Sequence, residues 1–447
     1  MKDLTKGPIA GHLVAMAAPM AIGMLVQTLY FMVDLYFVAG LGSAALAGVS
    51  AAGNFTFAVL ALTQMLGVGT VAVIAHAVGA GDKDAANLVF NQSLVLAALC
   101  AFAAFVGGYA LTGPYMRAVG ADAATITAGT TYLYWYVPGL ALQFAMVAMG
   151  SALRGTGIAK PTMVVQLVTV LVNIVLAPAL IAGVGTGHPF GVAGAGLAST
   201  LSVVAGTLLL AGYFGKLEKY VGFHASQWRP RLATWMQILN IGFPAGGEFA
   251  LMFVYMAVIY AILGGFGIAA QAGFGVGSRL MQAVFLPAMA IAFAVAPVAG
   301  QNFGARDAAR VRSTFTSAAL MSSGVMLVLT LLCQWRASSF VGFFTKDSQT
   351  LVVGSGFLRV ISWNFVASGL IFTCSGLFQA LGNTWPSILS SATRLVSFAL
   401  PALWLSHQSG FRIEQVWYLS VATVTAQAAI SLLLARRELR LRLAFPT

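Results

Sequence analysis

The chain has 447 residues, 60% of them hydrophobic and only 8% charged, with a mean hydropathy of +0.90. That composition excludes an ordinary soluble fold, in which roughly a quarter of residues carry charge, and it excludes intrinsic disorder. The net charge of +12 would suggest nucleic acid in a soluble protein, but in a membrane protein it is the signature of cationic cytoplasmic loops.

Breaking the chain at polar and Gly/Pro clusters leaves about twelve apolar segments, each near the ~20 residues a spanning helix needs. They fall near 13–38, 50–76, 88–110, 127–150, 162–183, 193–215, 234–262, 275–301, 313–334, 351–378, 386–407 and 415–434. They are apolar all round, whereas barrel strands would alternate over ~10 residues. The N-terminus, Met1-Lys2-Asp3-Leu4, lacks the pattern of a cleaved signal, so the first segment is expected to remain as a span. One set of loops holds 16 of the 23 Lys and Arg residues and the other holds 4, with Arg279, Arg359 and Arg394 inside spans. By the positive-inside rule both termini are cytoplasmic, in the inner or plasma membrane. Arg279 and Arg359 lie near span ends, from which they can snorkel. Cys100, Cys333 and Cys374 are scattered through apolar segments and imply no disulfide framework, and the five histidines show no metal-ligand spacing.

The chain repeats itself at one offset, 225. LGSAALAGVS (41–50) matches FGIAAQAGFG (266–275), VGAGD (78–82) matches FGARD (303–307), and LRGTGIAKPT (153–162) matches FQALGNTWPS (378–387). Pro19 and Pro244 share the offset and are expected to be hinges at the start of the first and seventh spans. Six spans per half is an even number, so the halves are parallel repeats about an axis along the membrane normal. The expected fold is an all-α polytopic membrane protein with 12 transmembrane helices in two six-helix lobes related by pseudo-two-fold symmetry. The lobes are expected over 1–215 and 234–447, joined by a cytoplasmic linker at 216–233.

These residues resemble the multidrug and toxic compound extrusion (MATE) transporters over essentially the whole chain. The resemblance rests on Pro19 with Asp34 in MVDLYFVAGLGSAALAGVS, on VGAGDKDAA and GSALRGTGIAKPTM, on NIVLAPALIAG and GVAGAGLAST, and on QNFGARDAARVR. It implies a twelve-helix secondary antiporter that expels organic cations in exchange for H+ or Na+, with a pattern closer to DinF-type than to NorM-type members.

Of eleven acidic residues only Asp34 and Glu248 lie well inside apolar spans. A carboxylate there costs several kcal/mol unless it is hydrated, paired or protonated, which makes it a functional candidate by default. A proton and an organic cation competing for Asp34 would suffice for antiport, and the resemblance gives this acid the coupling role. It also makes Asn173 a neighbour of Asp34. Four residues further on, where the family often has a second acid or amide, this chain has Ala177. A hard cation wants several oxygen ligands, so H+ is the expected coupling ion and Na+ the alternative, with Ser199 and Thr200 as possible hydroxyl donors.

Glu248 is expected either to line the substrate cavity or gate, or to pair with Arg394 at similar depth. It cannot share a proton with Asp34, because the two are 11 positions apart in the repeat frame, roughly 16 Å along a helix. The NorM-type acid eight residues after the seventh-span proline is replaced by Met252, so that second-lobe cation site is not carried over. Tyr30, Met32, Tyr36, Met146, Met149, Met252, Phe253, Met256 and Tyr260 are candidates to line a cavity for lipophilic cations, since sulfur and aromatic faces suit promiscuous binding.

No enzyme motif, Walker sequence, cofactor or metal site is expected, and the Gly-rich loop 183–191 follows a helix, not a strand. The expected partners are small organic cations and the lipid bilayer, without nucleic acid, and the chain is expected to be a monomer. A flippase for a lipid-linked saccharide is the alternative function, disfavoured because the spans hold two acids and one deep arginine.

Overall fold

A computed structural model describes residues 1–120, 122–185 and 187–445. Among these there are thirteen α-helices and no strand. They are α1 (Ile9–Ala39), α2 (Ser43–Gly79), α3 (Lys83–Val119), α4 (Ala123–Gly155), α5 (Lys160–Ile181), α6 (Gly191–Lys216) and α7 (Leu232–Leu263). The second series continues with α8 (Ile268–Gly304), α9 (Ala308–Gly342), α10 (Ser348–Ile361), α11 (Asn364–Ala380), α12 (Trp385–Ser406) and α13 (Ile413–Arg442). Eleven are long and apolar enough to cross a bilayer, and α10 with α11 forms a further span bent by 56°.

The internal repeat is present in the backbone. Helices α2, α3, α4 and α5 begin 225 residues before α8, α9, α10 and α12. The capping chemistry repeats too: Asp82 and Asp122 accept from the third backbone N–H of α3 and α4, and Asp307 and Asp347 do so for α9 and α10. These four acids satisfy orphan donors at helix starts and complement the positive end of the dipole. The close crossing of Gly48 with Gly129 recurs as Gly273 with Gly354, in each case because a Cβ would press into backbone atoms.

The tenth span departs from the single helix expected at 351–378. Its two pieces, α10 and α11, cover the same repeat positions as the continuous α4, and Trp363 at the break corresponds to Pro138 inside α4. Side chains of α9 take up the backbone at the break. Gln334 donates to the Arg359 carbonyl at 2.6 Å and Thr330 donates to the Ser362 carbonyl at 3.0 Å. In a bilayer such freed carbonyls have no water to turn to, so internal partners are what makes the bend tolerable.

Two compact units are formed, and they do not divide at the 216–233 linker. Unit 1 is Met1–Asp3 with Ile22–Phe243, and unit 2 is Leu4–Ala21 with Pro244–Thr447. The linker belongs wholly to unit 1 because three amides of α3 hold it. Asn87 bonds Tyr220 and Gly222, Asn91 bonds Gly222, His224 and Trp228, and Gln92 bonds Arg229 and Arg231. The first part of α7 is then pressed onto α2 within unit 1. A Cβ on Gly242 would meet the Met65 carbonyl, and one on Gly69 the Ile238 carbonyl.

In unit 2 the segment before α1 is fixed in a comparable way. Leu4 is fully buried, its N–H donates to Gln301, and Arg310 donates to the carbonyls of Leu4 and Gly7. Pro19 and Pro244 therefore sit inside continuous helices, beside the points where α1 and α7 pass from one unit to the other. Each unit has its own apolar core, centred on Phe90, Phe144 and Leu133 in unit 1 and on Phe357, Phe365 and Trp417 in unit 2.

Arg306 has a left-handed φ of 59° at the position where unit 1 has Gly81. An L side chain is disfavoured there by ~1 kcal/mol. Arg306→Gly is therefore expected to raise thermal stability in detergent by about 1 kcal/mol, and Gly81→Ala to lower it by at least as much. The Asp122 carboxyl is held below the ordinary carboxylate range by the backbone N–H and hydroxyl of Thr125, and Asp347 likewise by the Thr350 hydroxyl and N–H. A depressed carboxyl stabilises above its unfolded titration and ceases to as pH falls through the folded one. Asp122→Ala and Asp347→Ala are thus expected to lower the melting temperature at neutral pH. The deficit against wild type should shrink from about pH 4 downward.

Candidate functional site

The polar interior of unit 1 gathers around Asp34 in the second half of α1. The residue is 6% exposed. Its Oδ2 accepts from the Tyr132 hydroxyl of α4 at 3.5 Å, longer than a strong O–H···O bond, and Oδ1 has no hydrogen bond. Tyr30, one turn before Asp34, and Tyr132 both lie against the Ser199 hydroxyl of α6. Tyr136 packs on Tyr132 with ring centroids 5.5 Å apart and accepts from Gln143. Asp34 thus faces neutral hydroxyls and one weak donor, with no cation in the cluster. That arrangement leaves an ionised carboxylate undercompensated.

Asn173 on α5 is fully buried, and neither atom of its amide has a hydrogen-bond partner. Helix α5 meets α1 where the Gln166 side chain packs on Gly23, so that a Cβ on the glycine would fall on the glutamine Oε1. Seven residues beyond that contact in sequence are Tyr30 and Asn173, and eleven beyond are Asp34 and the fully buried, apolar Ala177.

Thr200 donates its hydroxyl hydrogen to the Trp135 carbonyl at 2.6 Å, which leaves the lone pairs of its oxygen uncommitted. Met149 is buried in the core of unit 1. Met32, Tyr36 and Met252 are exposed on their helices, Tyr36 at 75%, and none is drawn into the Asp34 or Glu248 clusters. Sequence reasoning passed over Tyr132 and Tyr136. Their one-turn spacing within an apolar span was the available signal.

The repeat frame shows what became of the same pocket in unit 2. Asp34, Tyr132, Asn173 and Ser199 correspond to Ile259, Phe357, Phe398 and Val424, all buried apolar side chains. The polar residues of unit 2 lie elsewhere, where Gly23 and Gln166 of unit 1 are replaced by Glu248 and Ser391. Glu248 accepts from Ser387 at 3.0 Å, Ser391 at 3.2 Å and Ser375 at 3.4 Å. Gln427 of α13 donates to Ser391 at 3.4 Å.

The expected ion pair with Arg394 is not formed. Hydroxyls of α11 and α12 occupy both oxygens of Glu248, and the Arg394 guanidinium lies instead 4.3 Å from the centre of the Tyr255 ring. Tyr255, seven residues after Glu248, also shares a hydrogen bond with Ser420. Among the described residues no group of three His, Cys, Asp or Glu side chains could hold a metal.

The chain matches the MatE family over residues 19–179 and 244–405. It is 26% identical to the multidrug export protein MepA of Staphylococcus aureus, over 97% of this chain and 95% of that protein. It is also 26% identical to a protein of Shewanella oneidensis named FAD transporter, over 90% of this chain and 89% of that protein. Its structure superposes with a TM-score of 0.92 on the outward-facing conformation of a multidrug resistance MATE family transporter of the MOP superfamily, at 26% identity and over 99% and 98% of the two chains. A MOP superfamily transporter from Pyrococcus furiosus superposes with a TM-score of 0.91, also at 26% identity, over 98% of both chains. With the family match covering most of both repeats, in register with the two prolines, the chain belongs to the MatE family of multi-pass membrane transporters, and it is not an enzyme.

Proposed function

We propose that this transporter is a proton-coupled antiporter that exports amphipathic organic cations, with Asp34 as the coupling group. The observation that carries the reading is the asymmetry of the repeat. One unit buries a carboxylate with an unbonded oxygen, and the other fills the corresponding positions with Ile259, Phe357, Phe398 and Val424.

Asp34 binds a proton or attracts a cation, and burial makes the two compete, since neither state leaves a naked charge in the apolar interior. Proton uptake from the outside discharges the cation, and proton loss to the cytoplasm restores the negative site. H+ is favoured over Na+ because the position four residues after Asn173 is the fully buried, apolar Ala177, which leaves Asp34 as the one carboxylate of the cluster for a hard cation. The loop charges support a chain in the inner or plasma membrane with both termini cytoplasmic. The Asp34 cluster contains no lysine or arginine, which disfavours a lipid-pyrophosphate flippase. A second reading, transport of an anionic solute, is favoured by the acid-free Arg394 of unit 2 and by the relative named FAD transporter.

Ethidium export by everted vesicles tests the coupling. Wild type is expected to pump on an imposed pH gradient, and Asp34→Asn to lose at least tenfold of that export while reaching the membrane in normal amount. Normal pumping by the mutant would remove Asp34 from the mechanism, and export driven by a Na+ gradient alone would overturn the choice of ion. FAD in the same vesicles examines the second reading.

A further inference from the structure

Arg394 stands near the middle of α12, an apolar span. Its guanidinium forms no hydrogen bond and no ion pair among the described residues, and its Nε is buried without a partner while the residue as a whole stays partly exposed. Such a charge at mid-span is tolerated where it faces water or a ligand, not hydrocarbon. It is also held in place: the group lies over the Tyr255 ring, which is fixed by Ser420 and packs on the fully buried Phe398. An arginine oriented by an aromatic face keeps its N–H fork free for a planar carboxylate or a phosphate.

Glu248 lies on the same side of α12. It is bonded to Ser391, three residues and so about one turn before Arg394. Serine hydroxyls are neutral donors, so this carboxylate is hydrogen-bonded but not ion-paired. Unit 2 thus carries an acid and a base on one side of α12 that do not pair.

We propose that this Arg394–Tyr255 platform is a specificity site for the anionic group of a dipolar, aromatic substrate, whose cationic end is oriented by Glu248. This rests on the reading of the chain as an exporter of small amphiphiles. Within that class, Arg394 decides between a free acid and its ester.

Rhodamine B and rhodamine B ethyl ester share one xanthylium cation and differ only in a free carboxylate. Binding of each to the purified full-length chain in detergent, followed by fluorescence polarisation, isolates the contribution of that carboxylate. Wild type is expected to bind the acid about tenfold more tightly than the ester. Arg394→Gln is expected to abolish the preference by weakening the acid alone, and Arg394→Lys to keep part of it as a point charge without the fork.

Equal affinity of wild type for acid and ester would overturn the proposal without need of any variant. So would Arg394→Gln weakening both dyes alike, which would make Arg394 a structural support for Tyr255. Displacement of rhodamine B, but not of its ester, by short-chain phosphatidylglycerol at equal concentration would assign the platform to lipid headgroups and overturn the substrate reading. No ion gradient is imposed, so failure here leaves the coupling role of Asp34 standing, and failure of Asp34→Asn to stop export leaves this result standing.

Discussion

Everything in this molecule is arranged around the cost of putting charge into hydrocarbon. Nine of the eleven acids avoid the cost by lying at helix ends, termini or loops, and four of those serve as helix caps at repeat-related positions. The remaining two meet it in different ways. Glu248 is answered by three serine hydroxyls from two neighbouring helices. Asp34 has one long bond from Tyr132 and an oxygen with none. The better-satisfied group is the poorer candidate for a changing charge, because hydroxyl donors already stabilise it. Asp34 is the less compensated of the two.

The two units show how a repeat acquires a direction. They share helix starts, caps, glycine crossings and the tyrosine pair Tyr30 and Tyr255. They differ in which face of the helix bundle is polar. Unit 1 places its acid where unit 2 has a buried isoleucine, and unit 2 places its acid where unit 1 has Gly23 packed against Gln166. The exchange conserves volume across the contact, a small residue opposite a long one in each case, so the helices can keep their spacing while the chemistry moves by three turns. Asp34 has no equivalent acid in the other unit, where Ile259 stands, and Glu248 and Arg394 correspond to Gly23 and Thr169 in the first.

The compact units also place the two prolines in context. Fixing the linker to α3 and the first residues to Gln301, Asn302 and Arg310 ties the N-terminal parts of α7 and α1 down before either helix reaches its proline. Proline removes a ladder hydrogen bond and clashes with the preceding turn, so it is the natural place for a helix to change its partners. Asp34 lies beyond Pro19, in the part of α1 that belongs to unit 1, and Glu248 lies just beyond Pro244, in the part of α7 that belongs to unit 2.

Hydropathy and spacing sufficed for the spans, the offset of 225 and the isolation of Asp34 and Glu248, because each is a property of residue order that any membrane fold must respect, while the family rested on the resemblance of particular motifs. Long-range side-chain contacts were not legible. Nothing in the order of residues says that Ser375, Ser387 and Ser391 converge on Glu248, that Thr200 donates to a carbonyl of α4, or that Arg394 turns to Tyr255 and not to the acid. The bend between α10 and α11 was hidden for the same reason, since the groups that accept it, Thr330 and Gln334, come from another helix. The sequence by itself determined which residues must enter the membrane and which charges go with them, because burial of apolar surface depends only on composition along the chain. Only the tertiary structure decided which of those charges are satisfied, because a hydrogen bond needs two partners at a set distance and their helices meet only once the bundle has packed.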